Sequence, residues 1–352
     1  MTSWIVDCRS DGERIVVIRE VSARDQYSAR TSAETRLERI TDLFAIFHHK
    51  NRIKWHSEAA VRREGTDFVV LSARSSNLAR SRDNVPKKAS QKLSLQIGGL
   101  NFSDRDSLGR FISVVRLHGA AQEAASSQAQ LVNLWTAMEV LVSRESDSKL
   151  RGVKRCITPF LVYGYFDRLL YALAGDLYRW KRKPTSRLLG QVDLPGWPQH
   201  HKLAGALVGD TFTNVRDDLY AMLEGFPLLR NRCFQTSALI SSADEMNKLI
   251  KSHEQRVLWQ IERIYRSRNA IVHDGSAPSQ VDALTENAHE YLDAFIDRFF
   301  ILCSQMKVVT TLDEAIAYQT RLYDAWKLEL GTAKKVSVEL GNVRRLCALD
   351  AR

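Results

Sequence analysis

Apolar and polar positions follow two different periods along this chain, a short one in roughly the first hundred residues and a helical one afterwards. The stretches WIVD (4–7) and ERIVVIREV (13–21) are rich in β-branched residues and are separated by Asp11-Gly12, a turn signal, so both predict short strands. From about Ser28 to His49 the period lengthens: Leu37, Ile40, Leu43, Phe44 and Phe47 predict an amphipathic helix. IKWHSEAAV (53–61) and DFVVLSA (67–73) read as strands again. Residues 73–92 are polar, basic and poor in apolar side chains, which predicts a long loop or linker near a domain boundary.

After about residue 104 the pattern is helical almost to the end. Ser103 and Asp104 are candidate N-caps for SDRDSLGRFISVVRL, and QLVNLWTAMEVLV sets Leu131, Leu134, Trp135, Met138, Leu141 and Val142 on one stripe. Further helices are predicted over 149–173, 211–223, 244–273, 281–304 and 312–328, the last opened by Thr311 and Glu314 as a capping box. GQVDLPGWP (190–198) should be a loop. The expectation is an α+β protein with three parts: a mixed α/β region over 1–102, a helical domain over 103–305, and a helical extension over 306–352.

Composition narrows the functional classes. With 352 residues, 44% of them hydrophobic and 26% charged, core burial is not limiting. The net charge of +10 favours a polyanionic partner. Neither a membrane span nor a signal-peptide core is visible, so a cytoplasmic protein is expected. Cys8, Cys156, Cys233, Cys303 and Cys347 are scattered and form no C-x-x-C pair, so buried thiols are expected rather than disulfides or a zinc site. His48-His49 and His200-His201 lack an H-E-x-x-H or cysteine-rich setting, and no metal or other cofactor is expected.

The segment EQRVLWQIERIYRSRNAIVHDG carries the candidate chemistry. Its apolar stripe runs through Val257, Ile261, Ile264 and Tyr265, and the next inward positions are Arg268 and Val272. A guanidinium placed there needs a partner. Glu139, which flanks the stripe of the other helix, is the expected one for Arg268 or His273. Asn269 and His273 share a neighbouring face, and Asp274-Gly275 should end the helix. Roughly one R-x4-H match is expected by chance in such a chain, so the spacing alone is weak. The helix, the stripe, the Asn after the Arg and the Gly cap give it weight. A helix-end ion-pair cluster is the alternative for Arg268 and His273, and core packing is the simpler reading for Trp135.

NLWTAMEVLV followed by IERIYRSRNAIVHDG resembles the HEPN superfamily (higher eukaryotes and prokaryotes nucleotide-binding), in particular its Apea-like branch. The resemblance is strongest over 128–145 and 256–275 and extends over 104–305. It implies a helical bundle that forms a homodimer, with two R-x4-6-H motifs in one cleft. It also implies metal-independent ribonuclease activity, with Arg268 and His273 catalytic and Asn269 as the polar residue after the arginine. Toxin and antiphage settings are common in the superfamily, which would add a regulatory protein or antitoxin as partner. His273 is followed by Asp rather than Tyr, unlike members paired with nucleotidyltransferase antitoxins.

The residue types also suit RNA cleavage without the name. The 2′-hydroxyl attacks the adjacent phosphorus, and the reaction needs a group that moves a proton near neutral pH and a fixed cation against the developing charge. Histidine and arginine supply these, and a twofold dimer supplies a second histidine. The run YRWKRKP offers Arg179, Lys181, Arg182 and Lys183 for RNA contact, with a solvated helix end as the alternative. Two rival functions stay open: a non-catalytic HEPN scaffold for RNA, a nucleotide or a protein, and, last in rank, a DNA-binding regulator.

Overall fold

The computed structural model describes residues 15–49, 54–72, 78, 85–124, 126–142, 148–276, 278–333 and 336–349. The predicted strand WIVD lies outside them. The chain divides between Ser75 and Ser76 into two compact units.

In the N-terminal unit, helix α1 (Gln26–Ala45) is followed by strands β1 (Glu58–Val61) and β2 (Val69–Ser72). The strands pair antiparallel, with Ala59 opposite Leu71. Asp25 caps α1 by accepting from Ser28 N at 2.7 Å. The buried Arg30 ties helix to hairpin: Nη2 donates to the Ser57 carbonyl at 2.7 Å, Nη1 donates to that of Leu71, and Nε donates to Glu34 at 2.8 Å. The described part of ERIVVIREV, residues 15–21, is not a strand, because a β-branched run makes a strand only where a neighbouring ladder takes its N–H and C=O groups. The expected apolar stripe of α1 is present but uncovered: Ile40, Leu43, Phe44 and Phe47 stay exposed.

The C-terminal unit is helical throughout: α2 (Pro86–Gly99), α3 (Arg105–Glu123), α4 (Ser127–Leu141), α5 (Lys149–Val162), α6 (Tyr165–Gly190), α7 (Gln199–Leu207), α8 (Thr213–Met222), α9 (Pro227–Ile240), α10 (Ala243–Asp274), α11 (Val281–Phe300), α12 (Leu312–Thr332) and α13 (Leu340–Leu346). A π turn, Ile301–Gln305, extends α11. The protein is thus mostly helical with a small sheet.

Several expectations are corrected. Part of the expected linker is α2, opened by Pro86, whose fixed φ suits a first helical turn. Gly99 at its end lies so close to Ser304 of the π turn that a Cβ there would meet Ser304 at 2.7 Å. Hence α2 belongs with the C-terminal unit, and the division falls ahead of residue 102. The predicted helix over 149–173 is two helices, broken at Gly164, whose φ of 74° favours glycine. Helices α7, α9 and α13 lie in the stretch expected to be helical but have no counterpart among the individual spans predicted. The stretch after residue 305 is no separate extension, since Leu312, Trp326, Leu330 and Leu346 lie in the same core as Trp135, Phe166, Phe295 and Phe299.

That core is centred on α4, where Leu131, Leu134, Trp135, Ala137, Met138 and Leu141 are all fully buried. Asp104 caps α3, accepting from Ser107 N at 2.6 Å. The capping box of α12 forms as predicted, with Glu314 N donating to Thr311 Oγ1 at 3.1 Å and Thr311 N to Glu314 Oε2 at 3.2 Å. A buried polar bridge crosses the core: Arg298 Nε donates to Gln319 at 2.9 Å, and Gln319 Nε2 donates to the Pro159 carbonyl at 3.2 Å. Cys156, Cys233, Cys303 and Cys347 are buried and unpaired. Burial raises every one of these thiols, to about 11 for Cys156 and about 12 for Cys233 and Cys303. No helix among the described residues is long and apolar enough to cross a membrane.

Candidate functional site

The site begins with the 32-residue helix α10. Ser242 starts it by accepting from Glu245 N at 3.3 Å. Ion pairs from Glu254 to Lys327 of α12, at 2.7 Å, and from Glu262 to Lys154 of α5 fix the helix against its neighbours. Val257, Ile261 and Ile264 enter the core, and the Tyr265 ring packs on Trp135 of α4 with centroids 5.3 Å apart. Trp135 is fully buried, so it is a core residue.

One turn beyond Tyr265 the inward position is Arg268. Its Nη2 lies 4.0 Å from Glu139 Oε2, with both side chains 22% exposed. Its Nη1 donates to Asn269 Oδ1 at 3.1 Å. Its Nε is buried and meets no acceptor among the described residues. Glu139 stands at the end of α4, whose last carbonyls are taken up from outside: Arg110 of α3 donates to Leu141 O at 2.8 Å and to Val140 O at 3.2 Å. Arg110 also reaches Asp313 of α12 at 2.8 Å. A cation at a helix C-terminus is favourable. It fixes the segment carrying Glu139.

Helix α10 runs unbroken through His273 and stops at Gly275, in the left-handed region at φ 61°. The Ser276 N–H returns to the Ala270 carbonyl at 3.2 Å. The helix does not loosen, so at 100° per residue His273 remains roughly 140° from Arg268. His273 is exposed, as is Val272, at 47%, which was expected on the core stripe. Past Arg268 the inward stripe passes through Ile271, half-buried against the core, and Val272 lies off it.

His273 instead shares the outer face of α10 with Arg256, Trp259, Arg263 and Arg266, all exposed. These five positions fall within an arc of roughly 100°. Three arginines and a half-exposed tryptophan leading to a histidine form a cationic, aromatic strip. It was legible as R-x2-W-x3-R-x2-R, but the apolar stripe on the other side gave no reason to examine it.

The basic run of α6 is divided. Lys181, at φ −142° and ψ 82°, breaks the helix. Arg179 pairs with Asp176 at 2.6 Å and Lys181 donates to the Met222 carbonyl at 3.4 Å, and both stay exposed. Arg182 and Lys183 are exposed. Beside the break, Trp180, Phe226, Leu228 and Arg232 line a groove of about 760 Å³.

Two further clusters unite residues far apart in sequence. Asp167, fully buried in the first turn of α6, receives His200 Nε2 at 3.0 Å and His201 Nε2 at 2.7 Å on the same oxygen. On α3 and α11, His118 Nε2 lies 2.8 Å from Asp293 Oδ1, and His289 Nδ1 lies 3.2 Å from Asp293 Oδ2. Each trio could hold a metal ion. Comparison of the chain with protein-family models, curated proteins and solved structures finds no match.

Proposed function

We propose that this chain is a metal-independent endoribonuclease of the HEPN type, acting as a homodimer. The observation that carries the reading is the state of Arg268. Its guanidinium is partly exposed, its ion pair to Glu139 is at the outer limit of 4.0 Å, and its buried Nε meets no acceptor among the described residues. A purely structural role would have saturated this cation, whereas its partly exposed Nη groups keep donors for an anion. The planar fork suits a phosphate.

In this reading the 2′-hydroxyl attacks the adjacent phosphorus and the 5′-oxygen leaves, giving 2′,3′-cyclic phosphate and 5′-hydroxyl ends. His273 moves the proton, Arg268 neutralises the phosphorane, and Asn269 positions Arg268. Because Arg268 and His273 diverge on one helix, the complete site takes residues from two copies of the chain. The strand runs along Arg256, Trp259, Arg263 and Arg266 towards His273, with Arg182 and Lys183 as a second basic contact. Base stacking on Trp259 and phosphate contacts to arginine fit a single strand. DNA lacks the attacking hydroxyl and is not cut. The sequence resemblance favours a cytoplasmic defence or toxin effector with a regulatory partner.

Incubation of the purified chain with labelled RNA in EDTA tests the proposal. Cleavage with cyclic-phosphate ends is expected, and it should vanish in His273→Ala while the dimer persists. Growth arrest on expression, relieved by Arg268→Ala, is the test in cells. RNA binding without cleavage, together with growth that is insensitive to Arg268→Ala, would turn the assignment to a scaffold.

A further inference from the structure

We propose that His118, Asp293 and His289 form a binding site for one divalent transition-metal ion of the zinc class, bracing α3 against α11. Hydrogen bonding accounts for only half of this cluster. His118 Nε2 and Asp293 Oδ1 are bonded at 2.8 Å. His289 is different: its side chain is 4% exposed and its Nδ1 lies 3.2 Å from Asp293 Oδ2, yet neither ring nitrogen makes a hydrogen bond with a described residue. The separation is that of a hydrogen bond but the alignment is not. A buried polar group left so is costly unless something else satisfies it.

A shared cation explains the geometry. His289 and Asp293 are four apart on α11, so both reach the same side of the helix. The His118 and His289 rings stack at 4.7 Å and 30°, and one carboxylate touches both. The donor atoms all lie within 4.8 Å of one another. Bonds of about 2.0–2.2 Å to zinc place neighbouring ligand atoms about 3–3.5 Å apart, close to the spacing that each imidazole already has to the Asp293 carboxylate, at 2.8 and 3.2 Å. Imidazole and carboxylate are ligands for zinc, cobalt or nickel rather than calcium. Asp293 is 43% exposed, which gives an ion a path from solvent and leaves an outward position for water.

The trio of Asp167, His200 and His201 shows this signature more weakly: each ring has one bonded nitrogen, although the buried His201 Nδ1 meets no partner among the described residues. Both imidazoles bond to the Asp167 oxygen at hydrogen-bond distance, and the aspartate is fully buried.

The test uses the full chain after EDTA treatment and dialysis, titrated with Co²⁺ followed by its visible absorption and with Zn²⁺ by calorimetry. One equivalent should bind, with a rise in melting temperature. His118→Gln and Asp293→Asn change partly exposed side chains, and each should weaken binding by at least the 10–100-fold that even an outer-shell partner is worth. His200→Gln should leave binding intact. Absence of binding at ~100 μM Zn²⁺, far above the affinity such structural sites show, overturns the proposal. So does binding that survives both cluster variants, or binding that is lost in His200→Gln. Ribonuclease activity does not enter the readout.

Discussion

Arg268→Ala separates a catalytic arginine from a structural one, because the two roles predict opposite balances of stability and activity. Among the described residues the side chain makes one hydrogen bond, to Asn269, worth about 0.5–1.5 kcal/mol. Its pair with Glu139 is long and partly exposed, a class of contact worth about 0–1 kcal/mol. Against these, truncation removes a buried Nε whose missing acceptor costs about 1–3 kcal/mol. Loss of the packed methylene stem offsets part of that relief. The central values sum to within about 1 kcal/mol of zero, and 1 kcal/mol shifts the midpoint of a domain of 150–250 residues by about 2–4 °C. Removal of one charge-stabilising donor from a transition state lowers turnover by about 10²–10³. We therefore predict a thermal midpoint by circular dichroism within about 4 °C of wild type and RNA cleavage in EDTA reduced at least a hundredfold. A fall of more than about 8 °C, with cleavage per folded molecule unchanged, would show that the guanidinium holds the helix end and does nothing to RNA.

Reversing charge in Arg263→Glu with Arg266→Glu should weaken single-stranded RNA binding uniformly across sequences. Losing two phosphate contacts should flatten the slope of log affinity against log salt by about 1.4 in fluorescence anisotropy; an unchanged slope places the strand elsewhere. Trp135→Ala, at the fully buried centre of α4, should cost about 3–5 kcal/mol in urea unfolding, and a loss under about 1 kcal/mol contradicts the packing described. His253 packs against Tyr165 with tilted rings, and burial, with Arg168 and Arg256 nearby, lowers its pKa from 6.5 to about 4. The unfolded chain then takes up this proton first, so stability declines as pH falls from about 6.5 to 4. His253→Gln should flatten that part of the stability–pH curve, and an identical curve in the variant removes His253 as the cause.

How far the sequence reads depends on where each signal lies. Long helices with one apolar face were legible from spacing, and so were the caps at Asp104, Thr311 and Gly275, because each is a local property. Helix α2 was not, since PKKASQKLSLQIGG exposes Leu93, Leu95 and Ile97 and buries Gln96. Its helicity comes from Pro86 and from docking of Gly99 on the π turn. ERIVVIREV failed for the opposite reason, being strand-like in composition but without a ladder over its described part. Arg268 and Glu139 could be paired from their stripes, because a charge on an apolar face demands a partner. His118 lies 171 residues before His289, a gap that no local pattern bridges. Only the HEYLD spacing of His289 and Asp293 could have drawn attention to that cluster.

The four enclosed thiols give the C-terminal unit its own reporter. Alkylation needs thiolate, and each of these sulfurs is both shielded from reagent and strongly disfavoured as an anion. In a Cys8→Ser background, iodoacetamide should therefore mark a molecule only while its interior is open. Cys156 lies on α5, Cys233 on α9, Cys303 in the π turn and Cys347 just after α13. The order in which they are modified under mild denaturant would record which part of the bundle opens first, with no label added to the protein.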